Sequence, residues 1–250
     1  MRNIRIRTIA CINRHFINRE KLKRKVFCIG LHKTGTTSIH EIAVKYGYKA
    51  THSTDWIFDS KKMEEFEFFC DGGSHFDNQN ECDFESLFIH YSNSLFILQT
   101  RNARSWIISK LKHAGWTEQT TLELGDEKKI CHNDWKYKSL LTIENLIRHK
   151  YNYEQKIFEF FIKNDPHRLL VIDITDKSTQ ARDLARLSAF LDLRSIYKIT
   201  LPHKNKAKNR TGLSEEVLVF IDKTIAACES EIDQANDFGP QLIENVMLQN

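Results

Sequence analysis

The 250-residue sequence has only three prolines and nine glycines. That scarcity excludes a collagen-like or low-complexity chain. No stretch approaches the ~18–20 apolar residues a transmembrane helix needs. The one apolar run near the N-terminus, Thr8–Ile12, is too short for the core of a secretory signal. The six cysteines (Cys11, Cys28, Cys70, Cys82, Cys131, Cys228) form no C-x-x-C, and no pair has zinc-ligand spacing. Scattered thiols in a chain this long read as those of a reduced, cytoplasmic protein. Acids are nearly missing from residues 1–25, where nine basic residues face Glu20 alone, a balance of +8. The whole chain carries +4, so the remainder is mildly acidic, at −4.

What is present is enough for a core. Hydrophobic residues make up 41% and aromatic residues 11%, which excludes a disordered body. The expected organisation is a basic N-terminal arm over 1–24 and a single α/β domain over 25–250.

The chain alternates strand and helix signals. Lys25–Ile29 is a short apolar run ending at Gly30, as in a buried parallel strand. Ile39, Ile42, Ala43 and Tyr46 then mark one face of a helix, closed by Gly47. Phe66–Cys70 reads as a strand stopped by Asp71-Gly72-Gly73, and Phe84–Tyr91 as a helix. Ser94–Gln99 is a strand, followed by a helix through Ala103, Trp106, Ile107 and Leu111. A long helix is expected over roughly 134–163, a strand over 169–174, and helices around 184–191 and 214–236. This order predicts a three-layer α/β/α architecture with a central parallel sheet.

The first strand–loop–helix carries the chemistry. Gly30-Leu31-His32-Lys33-Thr34-Gly35-Thr36-Thr37 is a glycine-containing turn into a helix N-terminus, a P-loop-like cradle for phosphate or sulfate. It departs from the nucleotide-triphosphate loop G-x-x-x-x-G-K-[ST] at one decisive place. Thr36 stands where that loop has lysine, and the lysine comes two residues before the second glycine, as Lys33.

Lys33-Thr34-Gly35-Thr36-Thr37 resembles the 5′-phosphosulfate-binding loop of the sulfotransferases that use 3′-phosphoadenosine-5′-phosphosulfate (PAPS). The resemblance implies a second motif, a strand ending in arginine with serine eight residues on. Arg101 and Ser109 stand at that spacing. In the family, such a pair binds the 3′-phosphate, and an arginine is well suited to fork onto phosphate oxygens. The likeness extends over about 25–205. Its departures are His32, where many members have proline, and Asn102-Ala103, where many have Asp-Pro or Asn-Pro.

The resemblance implies in-line sulfuryl transfer. Lys33 would stabilise the charge building on the leaving phosphate, while Thr34, Gly35, Thr36 and Thr37 hold the 5′-phosphate. Side chains would meet the charge that a kinase assigns to magnesium, so no metal is expected. A general base is needed for the acceptor. Asp71 and His75 are the favoured candidates, with Asp77, His52 and His32 behind them. A basic segment at 198–210, including Lys206, loosely resembles the late loop that closes over the donor's adenosine end.

The acceptor is open between small alcohol or other small molecule, carbohydrate, lipid and peptide tyrosine. The aromatic-rich segments 50–90 and 112–135 (Trp56, Phe58, Phe66, Phe68, Phe69, Trp116, Trp135) are either its pocket or core. Two rival readings stand beside this one. A P-loop kinase or NTPase lacks its Gly-Lys-[ST] here. A polyanion binder driven by the basic arm has few aromatics and no recognised reading motif, so no nucleic-acid partner is expected.

Overall fold

A computed structural model describes residues 24–72, 82–113, 143–193 and 212–235. By its internal packing the chain divides into two compact units. One comprises 1–100 and 161–204, the other 101–160 and 205–250.

The first unit is built on a five-stranded sheet. Its strands are β1 (Val26–Cys28), β2 (Ala50–His52), β3 (Phe68–Cys70), β4 (Leu95–Gln99) and β5 (Leu169–Ile172). The spatial order is β2-β3-β1-β4-β5, and all pairings are parallel. The strands are short, and β1, β3, β4 and β5 are buried at every position. Burial on both faces explains why they read as continuous apolar runs without alternation.

The two faces have different chemistry because successive side chains point opposite ways. One face presents Val26, Cys28, Phe68, Cys70, Leu95, Ile97, Leu170 and Ile172. It is covered by α1 (Thr36–Lys45), through Ile39, Ile42 and Ala43, and by helix Gln180–Phe190, through Leu184 and Leu187. The other face is aromatic. Phe27 lies 5.0 Å from Phe69 and 5.7 Å from Trp56, and Phe96 lies 4.9 Å from Phe161. Each fully buried ring of this kind is worth about 1.5–3 kcal/mol relative to exposure. Helices on both faces make the three-layer α/β/α arrangement expected from the sequence.

Some elements have no clear sequence signal. Strand β2, a 3₁₀ turn over Thr54–Phe58 and α2 (Ser60–Glu65) occupy a stretch without an apolar run. Helix α2 starts at a cap, because the Asp59 carboxylate accepts the Lys62 N–H. Phe66 is the C-cap of that helix, which shortens the expected strand 66–70 to β3. Strand β5 stops before Asp173, whose carboxylate accepts the N–H groups of Thr175 and Asp176 and turns the chain. Trp56, Phe68 and Phe69 are fully buried, so they belong to the core and not to an acceptor pocket. The next helices are α3 (Phe84–His90), α4 (Ala103–His113), α5 (Ile143–Asn164), α6 (Gln180–Phe190) and α7 (Glu215–Ala235). The expected start of α5 at 134 lies outside the described residues.

In the second unit, α4 begins at a cap, with the Asn102 side-chain oxygen accepting the Ser105 N–H at 3.1 Å. Arg104 Nε lies 2.6 Å from Asp222 Oδ1 of α7, and Arg148 of α5 pairs with Glu231 of α7. Among the described residues, no helix is long and apolar enough to cross a membrane.

Candidate active site

Because all five strands run parallel, their C-terminal ends share one edge of the sheet. Ligands of open α/β sheets collect at such an edge, beside the point where the chain changes direction across the sheet. Here that point is β1. The chain leaves it toward β3 and β2 on one side and returns to β4 on the other. The residues delivered to this edge are Gly30 after β1, His52 at the end of β2, Asp71 after β3 and Gln99 at the end of β4.

The loop after β1 is fixed at both of its glycines. Gly30 donates its N–H to Gln99 Oε1 at 3.2 Å and accepts from Gln99 Nε2 at 3.3 Å. A side chain at Gly30 would start 2.1 Å from the Gln99 carbonyl oxygen, so the loop must leave the strand through glycine. Gly35 has φ +99° and is the N-cap of α1, which suits glycine again. Lys33 also has a left-handed backbone, at φ +71°. This conformation is uncommon for lysine and is characteristic of functional loops.

The start of α1 has the electrostatics of an anion cradle. No side chain caps it, and its first turn holds no acidic residue. The N–H dipoles at this end give it positive potential. Thr36 is buried and Thr37 half-buried at this end. Thr34 is fully buried, and its hydroxyl donates to the Leu31 carbonyl, which limits what it offers a ligand to its main chain.

Asp71 faces this loop from β3. Its backbone is left-handed, at φ +69°. The flanking residues are held in place. Trp56 Nε1 donates to the Cys70 carbonyl at 3.0 Å, and Gly72 N–H to the Cys28 carbonyl at 3.3 Å. The Trp56 ring leaves no room for a side chain at Gly72, where a Cβ would meet it at 2.4 Å.

Two histidines flank the Asp71 carboxylate. His32 Nδ1 lies 3.2 Å from Oδ1, and His52 Nε2 lies 4.0 Å from Oδ2. His52 Nε2 also lies 3.2 Å from Thr36 Oγ1 and 3.4 Å from Thr37 Oγ1. The Asp71 carboxylate and the start of α1 thus adjoin, with His52 between them. The neighbouring Cys70 thiol is pushed well above its ordinary pKa by burial, with Cys28 Sγ at 3.8 Å, and stays protonated. It is therefore no nucleophile.

Arg101 and Ser109 belong to the second unit. Arg101 is half-buried just before the Asn102 cap, and Ser109 is half-buried two turns into α4. The buried face of α4 is Ala103, Trp106, Ile107, Lys110 and Leu111. His75, Asp77 and Lys206 lie outside the described residues, as do Trp116 and Trp135. Gln99 and Trp56, which hold the loops after β1 and β3, have no motif that the sequence could have flagged. Among the described residues, no cluster of three His, Cys, Asp or Glu could hold a metal ion.

No curated protein matches the chain. A family-wide sequence pattern described as a sulfotransferase domain matches residues 25–210, well over half of the chain, and takes in the loop, Asp71, Arg101 and Ser109; the chain therefore belongs to the sulfotransferase domain family.

Proposed function

We propose that this protein moves a sulfuryl group from PAPS to a hydroxyl or amine acceptor by in-line transfer. The observation that carries this reading is the uncapped, acid-free start of α1 set beside the Asp71 carboxylate. Together they offer an anion cradle and a proton acceptor at one edge of the sheet.

In this reading Thr34, Gly35, Thr36 and Thr37 hold the 5′-phosphate, Thr34 through its main chain. Lys33 sits against the bridging oxygen and stabilises the charge that develops there. Asp71 takes the acceptor's proton, in preference to His75. The acceptor O–S bond forms as the bridging S–O bond breaks. The bonding pair stays on the leaving phosphate, and the acceptor proton ends on Asp71. Arg101, Ser109 and Lys206 bind the donor's 3′-phosphate end. The acceptor is a small molecule, a carbohydrate or a lipid alcohol. A cytoplasmic setting belongs to the same reading, in keeping with the free, buried thiols of Cys28, Cys70, Cys82 and Cys228.

Calorimetry with 3′,5′-adenosine bisphosphate in the absence of magnesium tests the donor. Binding is expected. Binding of ATP–magnesium with none of the bisphosphate would favour a P-loop kinase instead. An acceptor screen with labelled PAPS then identifies the product class.

A further inference from the structure

We infer that Trp56 is a positioning residue for the reaction: its indole N–H and its ring hold the left-handed turn that brings the Asp71 carboxylate to the edge of the sheet beside the phosphate loop. This rests on the reading of Asp71 as the base and adds the residue through which that base is placed.

Side chains alternate along a strand, so an extended Asp71 would share the face of Phe69, two residues before it. That face is the aromatic layer of Phe27, Phe69 and Trp56, where a carboxylate would lose its hydration. Instead the backbone turns left-handed at Asp71, with φ +69°. The carboxylate then lies by the loop after β1, with Oδ1 3.2 Å from His32 Nδ1, and Oδ2 lies 4.0 Å from His52 Nε2. A left-handed backbone is uncommon outside glycine, and aspartate is among the residues that tolerate it best. It persists only where the surroundings over-determine it.

Two hydrogen bonds supply that constraint, one on each peptide group flanking the Asp71 Cα. The group before it carries the Cys70 carbonyl, which accepts from Trp56 Nε1 at 3.0 Å. The group after it carries the Gly72 N–H, which donates to the Cys28 carbonyl at 3.3 Å. Peptide groups are planar, so fixing both planes fixes the direction in which the Asp71 side chain leaves the chain. The Trp56 ring also bears on the second plane, because only a bare backbone fits against it: a Cβ at Gly72 would meet it at 2.4 Å. Trp56 is itself held. It is fully buried, its ring lies 5.0 Å from Phe69 and 5.7 Å from Phe27, and the Asp59 N–H closes its turn on the Trp56 carbonyl at 3.2 Å. Without the indole N–H, the peptide group before Asp71 loses this anchor and can rotate toward an extended backbone, which swings the carboxylate away from the loop.

The test separates turnover from donor binding and from stability. Turnover is read as 3′,5′-adenosine bisphosphate released from PAPS in the presence of naphthol, glucosamine and octanol, which stand for the acceptor classes. Donor binding is read by calorimetry with the bisphosphate. Trp56→Phe keeps an aromatic body and removes the N–H. It is expected to lower turnover by about ten- to a hundredfold, the scale of a reacting group displaced by about 1 Å. Its bisphosphate affinity is expected to stay within a few fold of wild type. On an Asp71→Asn background the same change is expected to leave turnover within a few fold, because residues that act through one group are not additive. Phe161→Leu, elsewhere in the aromatic layer, is expected to lower the unfolding midpoint and to leave turnover within a few fold.

Equal losses from Trp56→Phe on the wild-type and Asp71→Asn backgrounds would overturn the inference. So would a folded Trp56→Phe with full turnover, or one that loses donor affinity as much as turnover. All three leave Asp71 as the base, provided Asp71→Asn alone loses turnover. An Asp71→Asn variant with wild-type turnover overturns the reading of Asp71 itself, and this inference with it, as does a wild type that releases no bisphosphate. If Trp56→Phe does not fold by circular dichroism, benzothiophene in place of the indole keeps the two fused rings and exchanges the N–H for sulfur, and the same comparisons decide.

Discussion

Gln99 spends both ends of its carboxamide on one residue, Gly30, accepting its N–H at 3.2 Å and donating to its carbonyl at 3.3 Å. The side chain continues the β1–β4 ladder by one step after the backbone pairing ends. It ties the root of the phosphate-type loop to the neighbouring strand, in a place with no solvent to substitute for it.

That relationship makes Gly30 and Gln99 sensitive to substitution. Gly30→Ala would put a Cβ 2.1 Å from the Gln99 carbonyl oxygen, a backbone atom that can yield only if the strand ends part. Overpacking of this kind costs about 1–3 kcal/mol. Gln99→Leu leaves the polar groups of Gly30 buried without partners, at about 1–3 kcal/mol. Denaturant unfolding is expected to show both losses, and an unchanged midpoint for Gly30→Ala would contradict the close approach.

Lys33→Ala tests the charge placed at the bridging oxygen. Loss of one preorganised electrostatic contact typically lowers kcat by about 10²–10³. Lys33→Gly relieves the left-handed backbone at φ +71° while removing the same ammonium. Both variants are expected to lose turnover, with Lys33→Gly no less stable than wild type. Recovery of turnover in Lys33→Gly would show that strain, not charge, is what matters.

Arg101→Ala is expected to weaken 3′,5′-adenosine bisphosphate binding by at least about tenfold, since hydrogen bonds to charged groups are worth about 1.5–3 kcal/mol. Ser109→Ala should weaken it less. Adenosine 5′-monophosphate lacks the 3′-phosphate, so its affinity should be unaffected by either change. Calorimetry with the two nucleotides separates these outcomes.

Asp71→Asn keeps the size of the side chain and removes its proton affinity. Turnover is expected to fall by about 10²–10⁴, the range for a lost general base. Bisphosphate affinity should stay within a few fold. Steady-state kinetics paired with calorimetry checks the split, and equal losses in both would move Asp71 from proton transfer to donor binding.

Alkaline stability has a defined sign. Burial, with Glu67 nearby, pushes the Tyr48 phenol up to about 12. Its unfolded value is about 10. The folded state therefore holds a proton that the unfolded state gives up, so stability is full below about pH 10 and is lost as pH rises through about 12. Burial raises the Cys70 thiol in the same direction, so its loss begins above the unfolded value of about 8.5. Tyr48→Phe should flatten the fall in unfolding midpoint between about pH 10 and 12. An unchanged fall would assign it to other groups.

Much of the fold was legible because its strands are buried on both faces. Val26–Cys28, Phe68–Cys70, Leu95–Gln99 and Leu169–Ile172 each stand out as apolar runs. Strand β2 did not, since Ala50-Thr51-His52 is three residues long and only Thr51 is buried. With β2 unseen, His52 had no address, and its nearness to Thr36 and Thr37 was out of reach. The cap at Asp59 is a local signal, yet α2 buries no residue and so leaves no apolar stripe to read.

By itself the sequence determined what local spacing controls. The lysine before Gly35, the two threonines after it and the serine eight residues past Arg101 are covalent facts, and they set the reading of the loop. Tertiary structure decided which distant residues complete it. Asp71, His32 and His52 meet because parallel strands deliver their C-terminal ends to one edge. Gln99 grips Gly30 because β4 lies beside β1, and Thr34 turns inward because its hydroxyl finds the Leu31 carbonyl. Those outcomes depend on strand order and on close packing, and neither is encoded in any short stretch of the chain.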